Sequence, residues 1–262
     1  MSCSRWRVAR AQPTFRDTMQ GGSIRLFKIW GIEVFLHFSW FIVAAYQLTA
    51  RHHGYAAPIF AVYEYLALFG IVLLHEFGHA LACRQTGGEA DRILLWPFGG
   101  VAFVRPPPRP GAELWSIAAG PLVNVVLIPL LSLLQIFVIQ LGWPQASPDA
   151  YRLIVMMTWI NFGLLIFNLL PIYPLDGGQI LRSLPWFPFG RIRSLQVASA
   201  IGFVGSAAVG LYAIWLQSIW IGILAFFLIS QAMQGWRQAQ ALAAAEDEAK
   251  RPREEVERPP VL

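Results

Sequence analysis

The densest chemistry in the chain is the stretch His75-Glu76-Phe77-Gly78-His79. A helix turns about 100° per residue, so two histidines four apart share a face and can aim both imidazoles at one ion. Glu76, one step round, stands where it can take the proton of a water attacking from the ion's side. That is the arrangement of a zinc hydrolase. The motif ends the apolar run beginning at Pro58, which is long enough to cross a bilayer. A hydrolytic site within a membrane needs a third ligand and a route for water, and the rest of the chain must supply both.

Composition agrees with a membrane setting. The 262 residues are 56% hydrophobic and 13% charged, whereas a soluble domain carries about 25% charged residues. A polytopic membrane protein is expected, with most of its length spent on spans. The net charge of +5 does not point to nucleic acid, because the basic residues are scattered over loops and ends. Two cysteines, Cys3 and Cys83, exclude a disulfide framework.

Hydropathy predicts six spans, over about 31–48, 58–83, 112–141, 151–170, 195–216 and 219–233. These make a core at 31–235, preceded by a basic tail at 1–30 and followed by a charged tail at 236–262. Met19 is an alternative start. Between the second and third spans, two β-leaning runs flank Pro97-Phe98-Gly99-Gly100. They predict a hairpin over about 92–104, too short to span and too apolar for open water, and so re-entrant. A polar loop is expected at 179–194. Ala198, Gly202, Ser206 and Gly210, four apart, predict a close helix–helix seam.

All but Arg51 and Arg152 of the 20 Lys and Arg residues fall on one side of this topology. The positive-inside rule then puts both termini in the cytoplasm. The second and fourth spans both run inward, so His79 and Asp176 reach the same side. Asp176 sits in Pro171-Ile172-Tyr173-Pro174-Leu175-Asp176-Gly177-Gly178, where two prolines and two glycines break the helix. Two histidines and a carboxylate suit zinc and leave a fourth position for water. Asp176 reads equally as an interfacial Asp-Gly turn. Cys83 continues the histidine face by one further turn and reads as a boundary residue. His37, in the first span, is a candidate neighbour of the site or an ordinary hydrogen-bonding histidine. Glu64 reads as structural, and His52 and His53 as chance loop residues.

His75-Glu76-Phe77-Gly78-His79 within a span resembles the site-2 protease family of intramembrane zinc metalloproteases. So do Asn168-Leu169-Leu170-Pro171-Ile172-Tyr173-Pro174-Leu175-Asp176-Gly177-Gly178, Phe98-Gly99-Gly100 and Ala118-Ala119-Gly120-Pro121-Leu122-Val123-Asn124. The likeness covers about residues 30–235. It is similar to the compact six-span bacterial branch that includes the sporulation sigma-factor processing proteases, without room for a PDZ or CBS domain. The resemblance implies an all-α fold of six transmembrane helices with a re-entrant β-hairpin, in the inner membrane of a bacterium. It implies one Zn2+ per chain on His75, His79 and Asp176, with Glu76 as general base. Its substrate would be a single-span or membrane-associated protein, cut within or near its transmembrane segment. Asn168 would bind the substrate backbone or the oxyanion, or else bridge helices; Asn124 has the same two readings. The Gly99-Gly100 hairpin edge would hold an extended substrate. A zinc-binding transporter or an inactive relative is the rival class. A transporter would spread its polar residues along several spans, whereas here they cluster at one depth.

Overall fold

The computed structural model describes residues 22–51, 54–96, 99–172 and 175–250. Met19, most of the basic tail, His52 and His53, Pro97-Phe98, Tyr173-Pro174 and the chain from 251 lie outside the described residues. The protein is mostly helical with one small sheet. The strands are β1 (Ser23–Ile29), β2 (Ile32–His37), β3 (Glu89–Trp96) and β4 (Gly99–Arg105). The helices are α1 (Ser39–Arg51), α2 (Ile59–Gln85), α3 (Pro110–Gln140), α4 (Trp143–Ala146), α5 (Pro148–Leu169), α6 (Asp176–Phe189), α7 (Arg191–Trp215) and α8 (Ile219–Lys250). Among the described residues, α2, α3, α5 and α7 are long and apolar enough to cross a membrane. The chain is a multi-pass membrane protein.

The sheet revises the expected first span. Residues 32–37 form a strand, and the helical remainder, α1, has 13 residues. At 1.5 Å per residue that is about 20 Å, short of a roughly 30 Å hydrocarbon core. The expected tail at 1–30 is likewise structured from Ser23, since β1 pairs antiparallel with β2 through a turn at Trp30-Gly31. Both turn residues have positive φ, 49° and 79°, the signature of a two-residue hairpin turn matched to strand twist. Ile32, Val34 and Leu36 alternate inward along β2, and Ile93 and Leu95 do so along β3. They pack on Val72, Phe77, Ala80 and Cys83 of α2. Each such fully buried aliphatic side chain is worth roughly 1.5–3 kcal/mol against exposure.

The hairpin expected at 92–104 is present and slightly longer, as β3 and β4. It does not stand alone: β2 runs parallel to β3, giving the strand order β1-β2-β3-β4 and leaving β4 at an edge. Gly99 and Gly100 lie in β4, opposite Trp96 and Leu95.

α2 ends in a Schellman turn. Gly87, at φ +85°, donates to the Arg84 carbonyl and Gly88 to that of Cys83, each at 3.0 Å. The polar loop expected at 179–194 is instead α6 and the start of α7. Pro185 and Pro188 lie inside α6, although proline removes a helical hydrogen bond. The expected sixth span lies in α8, which continues as one helix past Met233 into the expected tail. The seam on α7 holds: Ala198, Gly202 and Ser206 are buried, and a Cβ on Gly210 would sit 3.8 Å from the Ala225 Cβ of α8.

Candidate metal centre

Three elements converge on one point. The last third of α2 brings His75, Glu76 and His79, all buried. The break after Leu170 ends α5, and Asp176 opens α6 as a buried carboxylate in its first turn. A negative charge there is favoured by the helix dipole. α3 covers the pair of histidines with Gly120. A Cβ on that glycine would come within 2.2 Å of His79 Nε2 and 2.9 Å of His75 Nε2, so only glycine lets α3 lie this close. Gly78 does the same from the α2 side, with a Cβ only 2.7 Å from the Ala119 carbonyl oxygen.

The three inward atoms are close together. His75 Nε2 lies 3.0 Å from Asp176 Oδ2 and 3.1 Å from His79 Nε2, and His79 Nε2 lies 3.4 Å from Asp176 Oδ1. One ligand atom from each residue falls within a 4.8 Å group. The outer nitrogens identify what those inward atoms are. His79 Nδ1 lies 2.9 Å from the Ser116 carbonyl oxygen, which can only accept, so Nδ1 carries the hydrogen. His75 Nδ1 meets Asn124 Oδ1 at 2.6 Å. With both hydrogens on Nδ1, two lone pairs and a carboxylate face one another, and none of these three groups carries a hydrogen to share with the others. Such a set is stable around a cation. Outer nitrogens tied to oxygens while the inner ones point at a centre is the usual dressing of metal-binding histidines. The donor set therefore fits a divalent metal ion.

Glu76 does not join the three ligand atoms. Its Oε2 accepts a hydrogen bond from the Ala102 backbone N–H of β4 at 3.0 Å, so the outward edge of that strand faces the site. Asn168 reaches the cluster, with its Nδ2 3.4 Å from His75 Nε2. Asn124 is fully buried and touches His75 itself. Cys83 is buried away from the group, its Sγ 3.4 Å from the Glu89 carbonyl oxygen. His37 closes β2, with Nδ1 2.5 Å from Ser39 Oγ and its ring against Phe38 and Trp96. Glu64 accepts from the Tyr55 hydroxyl at 2.6 Å, in keeping with a structural role. Sequence reasoning missed Ser116, Gly120 and Asn161, which sit around the histidines from α3 and α5. Gly120 lay inside a quoted motif, while nothing local singled out the other two.

A second device fixes Asp176. Arg182 of α6 pairs with Glu113 of α3, both largely buried. Burial, and then the nearby Arg191 guanidinium, pull Arg182 down to about 10, so it remains charged at neutral pH. The pair clamps the helix that opens with Asp176 against the helix that carries Gly120.

Comparison with known proteins identifies the family. The model of peptidase family M50 matches residues 63–150 and 144–212, which takes in both halves of the cluster. The chain belongs to peptidase family M50. A zinc metalloprotease of Methanocaldococcus jannaschii is 34% identical over 81% of this M50 chain and 60% of its own length. Stage IV sporulation protein FB of Bacillus subtilis is 29% identical over 79% of the chain and 67% of its own length. Among solved structures, the site-2 protease from Methanocaldococcus jannaschii matches with a TM-score of 0.58 and 29% identity. That match covers 82% of this chain and 95% of the solved one. The chain spans about 60% of the length of the first curated relatives it matches.

Proposed function

We propose that this M50 chain is a zinc-dependent endopeptidase that cuts a peptide bond within or near the membrane-embedded segment of a substrate protein. The observation that carries this reading is the convergence of His75 Nε2, His79 Nε2 and an Asp176 oxygen into one group beside Glu76. In it His75, His79 and Asp176 hold one zinc ion. When bound, zinc polarises the scissile carbonyl and acidifies a water. Glu76 accepts that water's proton during attack and delivers it to the leaving amine nitrogen, so one water is consumed and two chain ends are released. Asn168, at the rim of the cluster, is positioned to donate its amide N–H groups to the substrate carbonyl.

A helix hides its peptide bonds, so the substrate must enter extended. The edge of β4 is suited to hold it by strand addition, because the Ala102 N–H that meets Glu76 points outward from the sheet. Gly99 and Gly100 stand at the start of β4. The relatives named as zinc metalloproteases and a site-2 protease support the same assignment.

For the membrane arrangement, the reading is six crossings, the four long apolar helices together with the shorter α1 and the first part of α8, with both termini cytoplasmic, in a bacterial inner membrane. Its support is that all Lys and Arg other than Arg51 and Arg152 fall on one side. The core is 23–235, with the sheet at the cytoplasmic side near the site.

The test is Glu76→Gln, which keeps size and hydrogen bonding but removes the proton acceptor. Purified variant and wild type are compared for zinc content and for cleavage of single-span substrates in detergent. Zinc content should be unchanged and cleavage should fall by about 10²–10⁴-fold. Near-normal proteolysis in the variant would remove Glu76 as base. Zinc binding without any cleavage by wild type would favour a transporter or an inactive relative.

A further inference from the structure

Asn161 lies on α5, is fully buried, and touches neither the metal ligands nor Glu76 in any hydrogen bond of the structure. Its amide is nevertheless oriented without ambiguity. Its side-chain nitrogen is 3.0 Å from the backbone carbonyl oxygen of Asn124, which can only accept. That leaves Asn161 Oδ1 as the acceptor facing the Asn124 side chain at 2.8 Å, so Asn124 must present its Nδ2 there. Asn124 Oδ1 is then the atom that meets His75 Nδ1 at 2.6 Å, and an oxygen there requires the hydrogen on Nδ1. His75 Nε2 consequently carries no hydrogen and points into the cluster.

We propose that Asn161 is a positioning residue: it holds the Asn124 amide in one orientation and thereby fixes His75 as the Nδ1–H tautomer. This rests on the reading that His75, His79 and Asp176 hold zinc, and it adds a residue from α5 that no motif contains. The physical need is plain. An asparagine amide is nearly symmetric in shape, and Asn124 turned by 180° would offer an N–H to His75 Nδ1. The imidazole would then move its hydrogen to Nε2, where it blocks coordination. His79 has no such weakness, because the acceptor on its Nδ1 is a backbone carbonyl that cannot turn. One ligand is set by the main chain, and the other by a side chain that itself needs setting.

The experiment uses the full-length chain in detergent, stripped of metal and titrated with zinc against a chromophoric chelator, with thermal unfolding of the metal-free form alongside. Asn161→Ala frees the Asn124 amide to turn, and zinc affinity should fall about 10–100-fold, as for other residues that orient a metal-binding histidine. In an Asn124→Asp background either side-chain oxygen accepts from His75 Nδ1, so orientation no longer matters. There, adding Asn161→Ala should cost less than about threefold in zinc affinity, well below the range expected for an orienting residue. Asn161→Asp keeps an acceptor for Asn124 Nδ2, so it should retain near-normal affinity even where unfolding temperature drops. This arm stays informative if Asn161→Ala folds poorly. Equal losses in both backgrounds, or the same loss for Asn161→Asp as for Asn161→Ala, would reduce Asn161 to packing and overturn the proposal. Failure of the underlying zinc reading looks different: wild type would not bind, or Asp176→Ala would bind as wild type.

Discussion

Gly120→Ala tests the geometry of the centre most directly. The added methyl would lie 2.2 Å from His79 Nε2 and 2.4 Å from its Cε1. Ordinary contact begins near 3.4 Å, so imidazole or helix must retreat by roughly 1 Å. Zinc–nitrogen bonds sit at about 2.0–2.1 Å and tolerate about 0.2 Å. The retreat therefore takes His79 out of reach of an ion held by the other two ligands. Overpacking of this kind costs about 1–3 kcal/mol. Levied on the zinc-competent position of His79 alone, it weakens zinc about 5- to 150-fold. Alanine is favoured over glycine inside a helix by roughly 1 kcal/mol, which offsets part of the strain in the metal-free chain. Zinc affinity should accordingly fall while the unfolding temperature of the metal-free protein moves little. The assay is competition with a chelator of known affinity, with thermal unfolding in parallel. Gly111→Ala and Gly163→Ala, whose methyls would meet nothing within 4 Å, are the controls and should bind zinc as wild type does. If Gly120→Ala also bound zinc normally, the close seat of α3 on the two histidines would be wrong.

Three further outcomes are expected. Metal analysis of Asp176→Ala should show weakened zinc binding and that of Cys83→Ser should not; the opposite result would move the third ligand to Cys83. Glu113→Gln removes the carboxylate partner of a largely buried arginine and should destabilise the protein by about 3–5 kcal/mol. An unfolding temperature equal to wild type would show that the pair does not clamp α6 to α3. Reporter fusions after Gly142 should read as external and those after Gly178 or Gly235 as cytoplasmic, and a C-terminal fusion found outside would refute the membrane orientation.

The sequence by itself determined whatever depends on local periodicity. The four-residue spacing of His75 and His79 needs only the helix repeat to put both on one face, and both are buried on α2 as that repeat requires. The Pro/Gly break before Asp176 and the β-leaning runs around Gly99-Gly100 were legible for the same reason, since turn residues act on their own backbone. Tertiary structure decided the rest. Residues 31–48 read as one apolar span because a buried strand and a following helix are both continuous apolar runs. Residues 32–37 pair with the adjacent β1 on one side and with residues 92–95, nearly 60 positions away, on the other, and pairing at that distance leaves no local trace. α6 is helical across Pro185 and Pro188, in a segment packed on α3 and α7, so context overrode propensity there. Asn124 and Asn161 differ from any other span asparagine only in what they face across a helix interface, and that is a property of the assembled fold. The ligand types came from the sequence. Which nitrogen of His75 is free to bind comes from α3 and α5 meeting, through two amides whose orientation a single backbone carbonyl fixes.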